Sequence, residues 1–180
     1  MPDPLHARLP VTSLVDKSEV IEISAKVGDL ERLAEAIEAD LAGTGDTRPG
    51  RDWREMPVSG RLQFGAEAAG EAVVAVSLSA DVMSVCQRCM DVFRWPLETE
   101  LRLRLVRSDE AGADLDGHEA WELDDDVVVP IELIDEALVM AMPLSVKHDE
   151  ACVEAGISTE ADKTTTPFAD LRAQMDKATE

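Results

Sequence analysis

Aromatic side chains are scarce in this chain of 180 residues, which has no tyrosine, three phenylalanines and three tryptophans. Apolar residues still make up 45% of the sequence, an ordinary share for a globular protein. A chain of this length can bury one sizeable core. We therefore expect a single domain whose core is built from Val, Leu, Ile, Ala and Met.

Long apolar runs are also missing. No stretch reaches the roughly 18 apolar residues that a membrane-spanning helix needs, and the first ten residues hold no run typical of a signal peptide. We therefore expect a cytoplasmic protein with no membrane partner. Cysteine is scarce as well: the chain has three, an odd number. In a cytoplasmic protein this predicts thiols that bind a metal or are buried, and not disulfides.

Basic residues are few, since 17 Lys and Arg stand against 38 Asp and Glu for a formal net charge of -21. This excess repels other polyanions, and broad nucleic-acid binding depends on Lys and Arg that release counterions from phosphate. Extensive RNA contact is therefore disfavoured. Any RNA contact must be local, or a basic protein must lie between the chain and the RNA.

Positive charge gathers at Arg102, Arg104 and Arg107, with Arg88 and Arg94 as further members of the group. The first two alternate with leucines, which places their guanidinium groups on one face of a strand, where they could bind phosphate oxygens. These three arginines are the candidate RNA-binding residues. The alternative is that they form ordinary surface ion pairs with the glutamates at positions 98 and 100 and with neighbouring strands.

The order of periodic segments predicts an α+β fold. Apolar residues recur at helical spacing from Asp29 to Leu41 and again from Pro130 to Met142. Alternation with a period of two predicts strands at 20–23, on both sides of 66–71, and at 82–86 and 92–106. The connections are too short for helical crossovers, which favours an antiparallel sheet, open or barrel-like, with a few packed helices.

The remaining segments are predicted to be irregular. Residues 1–18 indicate an extended or partly ordered N-terminal segment, and residues 19–155 would form the single domain. Residues 108–126 contain many Asp and Glu and no Lys or Arg, which predicts a solvated acidic loop, or alternatively a surface that attracts a basic partner. Residues 156–180 predict a mobile tail with a short C-terminal helix.

Three cysteines and one histidine form the most specific local pattern, Cys86-Gln-Arg-Cys89 and His148-Asp-Glu-Ala-Cys152. Gaps of two and three residues let each pair reach one ion, and three thiolates with one imidazole are a recognised tetrahedral Zn2+ set. We expect a structural zinc that stabilises the domain. Two alternatives remain open: small buried thiols beside a surface histidine, and a dithiol redox pair at Cys86 and Cys89.

Catalytic motifs are missing from the sequence. It has no nucleophile beside a base, no paired carboxylates in a recognisable context and no glycine loop that cradles phosphate. His6 lies in the N-terminal segment and His118 in the acidic stretch, which leaves His148 as the histidine with a site. Four protein ligands would leave a zinc ion no position for substrate water. We therefore expect no enzymatic activity, no catalytic residue and no small-molecule substrate.

Three motifs resemble those of the YceD family. The run from Val85 to Phe93 resembles its Cys-x-Arg-Cys signature followed by Phe, and the run from Glu132 to Asp149 resembles its second block. The segment Pro167-Phe-Ala-Asp-Leu resembles the third block of the family, although Thr166 stands where the family usually has Asn. The resemblance covers about residues 60 to 175.

The resemblance implies a role in accumulation or processing of 23S rRNA during large-subunit ribosome biogenesis, without an established catalytic activity. The expected partner is a basic ribosomal protein or precursor large-subunit rRNA. The charge of the chain favours the protein, because an acidic surface complements a basic tail and screens it from premature contact with RNA.

Overall fold

The computed structural model describes residues 4–43, 52–67, 70–107, 119–148 and 152. The chain divides into two compact units, Met1–Glu150 and Ala151–Glu180. Every helix and strand described below belongs to the first unit, and Cys152 is the one described residue of the second. The expected tail at 156–180 lies outside the described residues, and the domain limits of 19–155 stay a prediction.

The described part of the first unit contains three α-helices and seven strands. The helices are α1 (Val11–Asp16), α2 (Glu31–Leu41) and α3 (Pro130–Ala141), and none of them is long and apolar enough to cross a membrane. The strands are β1 (Leu9–Pro10), β2 (Val20–Lys26), β3 (Pro57–Ala66), β4 (Ala72–Val85), β5 (Val92–Arg107), β6 (Glu119–Leu123) and β7 (Val127–Val128).

Five strands form one sheet in the order β2-β3-β4-β5-β6. The pairings from β2 to β5 are antiparallel, and β6 lies parallel to β5. Strands β2 and β6 are the two edges, so the sheet is open and does not close into a barrel. Strands β1 and β7 form a separate antiparallel pair. The predicted α+β class is confirmed.

The core lies between one face of this sheet and the helices. Along β4 the side chains of Val74, Val76 and Leu78 are buried, whereas Ser77 and Ser79 on the opposite face are not, as the period of two predicts. Helices α2 and α3 pack on the buried face and against each other. Their fully buried side chains are Leu33, Ile37, Leu133, Ile134 and Leu138, and each contributes about 1.5–3 kcal/mol by leaving water.

The buried carboxylate of Asp135 on α3 caps the N-terminus of α2. The backbone N–H groups of Arg32 and Leu33 donate to its two oxygens, each at 2.9 Å. N–H groups in the first turn of a helix lack partners within the helix, and Leu30 at the N-cap position makes no side-chain hydrogen bond to them. Asp135 therefore joins the two helices, and its negative charge also complements the dipole of α2.

Two sequence-based expectations need correction. Residues 1–18 are not simply extended, because they include helix α1, whose Val11 and Leu14 are buried in the core. The acidic stretch 108–126 is not a continuous loop, because its end forms β6. Within β6, Trp121 and Leu123 are less exposed than their neighbours, a short alternation that could have predicted the strand. Residues 108–118 lie outside the described residues.

Replacing Asp135 with alanine should destabilise the fold by about 2–4 kcal/mol, because the buried N–H of Leu33 and the partly buried N–H of Arg32 would lose their acceptor. Urea unfolding of purified protein measures this free energy. Glu132→Ala on the exposed side of the same helix is the matched control and should cost less than about 1 kcal/mol. Equal losses in the two variants would contradict the capping role.

Replacing Gly60 with alanine should cost more than about 2 kcal/mol, because a β-carbon there would collide with the Ser77 carbonyl oxygen and lie 2.8 Å from the Leu78 Cα. Gly60 also has a φ of +154°, which side chains disfavour. Gly65→Ala on the same strand is the control, since a β-carbon there meets nothing within 4 Å. Thermal unfolding compares the two, and equal midpoints would refute the steric account.

Candidate metal centre

The first pair of candidate ligands lies in the cysteine turn, residues 86–91, which joins β4 to β5. The N–H of Cys86 donates to the carbonyl oxygen of Asp91, and the N–H of Met90 donates to the carbonyl oxygen of Cys86, both at 2.9 Å. Met90 takes a left-handed conformation with a φ of 65°. These bonds fold the turn tightly enough for Cys86 and Cys89 to approach one another.

The third candidate ligand, His148, follows α3. The helix ends at Ala141, two residues before Pro143, because proline cannot continue a helix without losing a hydrogen bond. Val146 then forms an isolated parallel bridge with Cys86, and the N–H of Gln87 donates to its carbonyl oxygen at 2.9 Å. This short pairing brings His148 to the cysteine turn.

The distances within this group fit a metal ion. The sulfurs of Cys86 and Cys89 and a ring nitrogen of His148 lie within 4.8 Å of one another, and His148 Nδ1 is 3.5 Å from Cys89 Sγ. A tetrahedral zinc with Zn–S of about 2.3 Å and Zn–N of about 2.0 Å places sulfur and nitrogen about 3.5 Å apart. Cys152, the fourth ligand of the predicted Cys3His set, is half-buried and belongs to the second unit, so its place in the set stays a prediction.

The ring of His148 is supported by aromatic neighbours on β5. The ring centroids of Phe93 and His148 are 4.4 Å apart with an interplanar angle of 52°. Trp95 contacts Phe93 edge to face at 6.0 Å. Contacts of this kind hold a ligand in one orientation and so reduce the cost of ordering it around an ion. The sequence singled out Phe93 only as part of the motif that resembles the family. The spacing of residues in that motif did not predict that Phe93 packs on His148.

The Cys86 thiol is fully buried yet readily ionised. Burial raises its pKa, but N–H donors of Cys89, His148 and Arg88, together with the Cys89 side chain, outweigh burial and lower the pKa from the usual 9.0 to about 6. Thiolates, and not thiols, bind metals. The surroundings of Cys86 therefore favour the form that an ion requires.

The end of β4 is anchored to helix α2 just before the cysteine turn. Asp40 Oδ2 accepts hydrogen bonds from Ser84 Oγ at 2.9 Å and from the N–H of Val85 at 3.0 Å. This contact fixes the residue that precedes Cys86. Sequence reasoning missed Asp40, because a carboxylate on the polar side of an amphipathic helix carries no local sign of a partner more than 40 residues away.

None of the three cysteines forms a disulfide bond, and the Cys86–Cys89 pair occupies the turn between two antiparallel strands. A thioredoxin-type pair lies instead at the start of a helix, where the helix N-terminus activates one thiol. The setting therefore does not favour the dithiol redox alternative.

The three candidate RNA-binding arginines lie on β5, as the alternation predicts, and each is engaged with a carboxylate. The ion pairs are Arg102–Glu67 at 3.0 Å, Arg104–Glu71, and Arg107–Asp126 at 3.7 Å. These ion pairs agree with the alternative that the three arginines form surface ion pairs. Their partners lie outside β5, however, and are not the glutamates at positions 98 and 100. Their RNA-binding role stays a prediction.

A protein-family model matches more than half of the chain. The family model described as Large ribosomal RNA subunit accumulation protein YceD covers residues 74–177, which include most of β4, the cysteine turn, α3 and all four candidate ligands. The same span contains the three motifs on which the resemblance rested. No curated protein and no solved structure matches the chain.

We expect the Cys3His set to bind one Zn2+ ion per chain and to stabilise the folded state. If zinc binds only the folded chain, a free zinc concentration 1,000-fold above the Kd raises the free energy of unfolding by about 4 kcal/mol. Metal analysis after purification in zinc buffers, together with thermal unfolding at set free zinc concentrations, measures both effects.

Cys89→Ser and His148→Ala should each weaken zinc binding by more than about 100-fold. Loss of a ligand itself should cost more affinity than loss of a residue that only supports a ligand, which typically costs about 10–100-fold. His6→Ala is the control, because this histidine lies outside the set. Cys152→Ser tests the fourth ligand separately, since an unchanged affinity would remove Cys152 from the site. Wild-type affinity in His148→Ala would contradict the whole assignment.

Proposed function

Because the chain belongs to the YceD family, we propose that it supports 23S rRNA accumulation as a cytoplasmic, non-enzymatic factor in large-subunit ribosome biogenesis. The match over residues 74–177 to a family described by large ribosomal RNA subunit accumulation carries this proposal. The proposed direct partner is a basic ribosomal protein, with precursor rRNA as the alternative.

Charge supports the protein partner. A formal net charge of -21 attracts basic proteins and repels phosphate. The arginines best placed on β5 to contact RNA are already paired with carboxylates, and each pair would have to open before phosphate could bind. An acidic chain that covers a basic protein would also keep it from premature contact with RNA until assembly.

One observation favours the RNA alternative in a local form. The side chains of Arg102 and Arg107 are 59% and 55% exposed, and exposed ion pairs are worth little, typically about 0–1 kcal/mol. A phosphate could therefore displace Glu67 or Asp126 at small cost. Arg104 differs, because its side chain is only 12% exposed.

The proposed role of the metal is structural. Zinc held by Cys86, Cys89, His148 and Cys152 would have four protein ligands and no open position for a reacting water. It would join the cysteine turn to the segment after α3, two parts of the chain separated by about 60 residues, and so add folding free energy. This arrangement supports a factor that acts by binding and without catalysis.

Deletion of the gene in its native host should lower mature 23S rRNA relative to 16S rRNA, which quantitative electrophoresis of total RNA measures. Wild-type protein should restore the ratio. So should the Arg102→Ala/Arg107→Ala double variant, because we assign the contact to a protein; Arg104 is left intact to avoid unfolding.

An unchanged ratio in the deletion strain would reject the proposed function. Failure of a folded Arg102→Ala/Arg107→Ala variant to restore the ratio would instead favour direct RNA binding by β5. Unfolding midpoints of the purified variant and wild type provide the control for folding.

A further inference from the structure

The outer face of the sheet, which is turned away from α2 and α3, carries a trough along β4. Its floor is made of the small side chains of Ala75, Ser77 and Ser79, which alternate with the buried residues of the same strand. The residues paired with them on β3 and β5 form the two walls. These wall residues are Ser59, Arg61 and Gln63 on β3 and Glu98, Glu100 and Arg102 on β5.

The floor and the walls form one continuous surface, which we call the sheet trough. Cavities of about 260, 380 and 430 Å³ follow one another along it. The two larger cavities share Ser77 and Glu100 in their linings, and the two smaller ones share Gln63, Ala75 and Arg102. Directly paired residues of neighbouring strands also have their side chains on the same face of a sheet.

Two carboxylates of the sheet trough have no ion-pair partner among the described residues. Glu98 and Glu100 are both exposed on the β5 wall. The arginines that lie beside them on the outer face are already paired with other carboxylates. These pairs are Arg94 with Asp81, Arg102 with Glu67 and Arg104 with Glu71.

Arg61 on the β3 wall does not balance these two charges. It lies across the floor from Glu100, but its directly paired neighbour on β2 is Glu22. One positive charge is thus shared among three carboxylates, so this half of the trough is negative. The cavity of about 430 Å³ has the same sign, because Glu98 and Glu100 are the charged residues of its lining.

The dimensions of the sheet trough suit an extended peptide. Strands β3 and β5 are two strand spacings apart, about 9.5 Å, whereas an α-helix with its side chains is about 10–12 Å across. Side chains on one face of an extended chain recur every two residues, about 6.6 Å, which is also the interval between Glu98 and Glu100. A segment with Lys or Arg at every second position would therefore bring one cation to each carboxylate.

An RNA strand fits the same surface less well. Phosphates that lie along the trough would approach Glu98 and Glu100, and the two larger cavities have no aromatic side chain on which a base could stack. The hydroxyl groups of Ser59, Ser77 and Ser79 can instead form hydrogen bonds with the peptide groups of an extended chain.

We propose that the sheet trough binds an extended segment of a basic large-subunit protein, and that Lys or Arg side chains at alternate positions of this segment contact Glu98 and Glu100. The inference rests on the proposed function. It adds the surface at which the partner binds and the kind of segment that the partner presents.

The test uses the full-length, zinc-supplemented protein. The probe is the mixture of proteins extracted from purified large ribosomal subunits after nuclease removes the RNA. The retained protein is identified by mass spectrometry and purified, and its affinity is measured by calorimetry. Glu98→Gln/Glu100→Gln should weaken binding about 10-fold or more, because two cationic side chains of the partner lose their opposite charges.

Ser79→Phe tests the shape of the trough without a change of charge. Ser79 is exposed, so the ring stays out of the core, but it fills the space between the walls and should also weaken binding about 10-fold or more. Unfolding midpoints show whether each variant is folded.

Glu35→Gln/Glu132→Gln is the matched control for charge. It removes two exposed carboxylates from α2 and α3, on the other side of the sheet, and should change the affinity less than about 3-fold. A loss equal to that of Glu98→Gln/Glu100→Gln would overturn the inference, because the net charge of the chain would then explain the binding.

Wild-type affinity in a folded Glu98→Gln/Glu100→Gln or Ser79→Phe variant would overturn the sheet trough as the docking surface while leaving the proposed function standing. A wild-type chain that retains no large-subunit protein would overturn the inference and also the protein-first form of the proposed function. Retention of naked 23S rRNA in place of protein, with a loss in Ser79→Phe, would assign the trough to RNA and refute the proposed partner.

Discussion

The short pairing between the cysteine turn and Val146 is the contact on which the candidate site depends. One backbone bridge and the hydrogen bond from Gln87 to the Val146 carbonyl oxygen join parts of the chain that are about 60 residues apart. This pairing, together with the packing of the His148 ring on Phe93, places His148 beside Cys89. Two backbone contacts hold such segments weakly, because closing a long loop has an entropic cost. An ion with ligands on both sides would reinforce them.

Acidic residues have two separate roles in this protein. Asp135 and Asp40 accept backbone hydrogen bonds between elements that are far apart in sequence: Asp135 joins α3 to α2, and Asp40 joins α2 to the end of β4. Other carboxylates contribute to the negative electrostatic field of the protein surface, and some of them form ion pairs with arginines. The electrostatic field of the surface decides which partners approach, whereas the two aspartates help to position the helices and the cysteine turn.

Local periodicity allowed much of the fold to be predicted. Helix α2, helix α3 and the one-sided burial of β4 follow from apolar spacing, and the Cys and His pattern indicated Cys86, Cys89 and His148, which lie close together in the first unit. Contacts between distant residues could not be predicted in this way, because Asp135 and Asp40 look like ordinary exposed acids on a helical wheel. Strand β6 was missed because its acidic composition outweighed the alternation of Trp121 and Leu123. The ion-pair partners of the β5 arginines depend on tertiary structure for the same reason.

The central claim is that an acidic chain promotes rRNA accumulation by contacting a basic protein of the large subunit. Photo-crosslinking in living cells from an amino acid placed at position 79 tests this contact most directly, because Ser79 is exposed on the floor of the sheet trough and the crosslinker needs no room in the core. The account predicts that the crosslinked product contains one basic large-subunit protein and resists nuclease. Crosslinks that join the chain mainly to rRNA, and that nuclease removes, would contradict it.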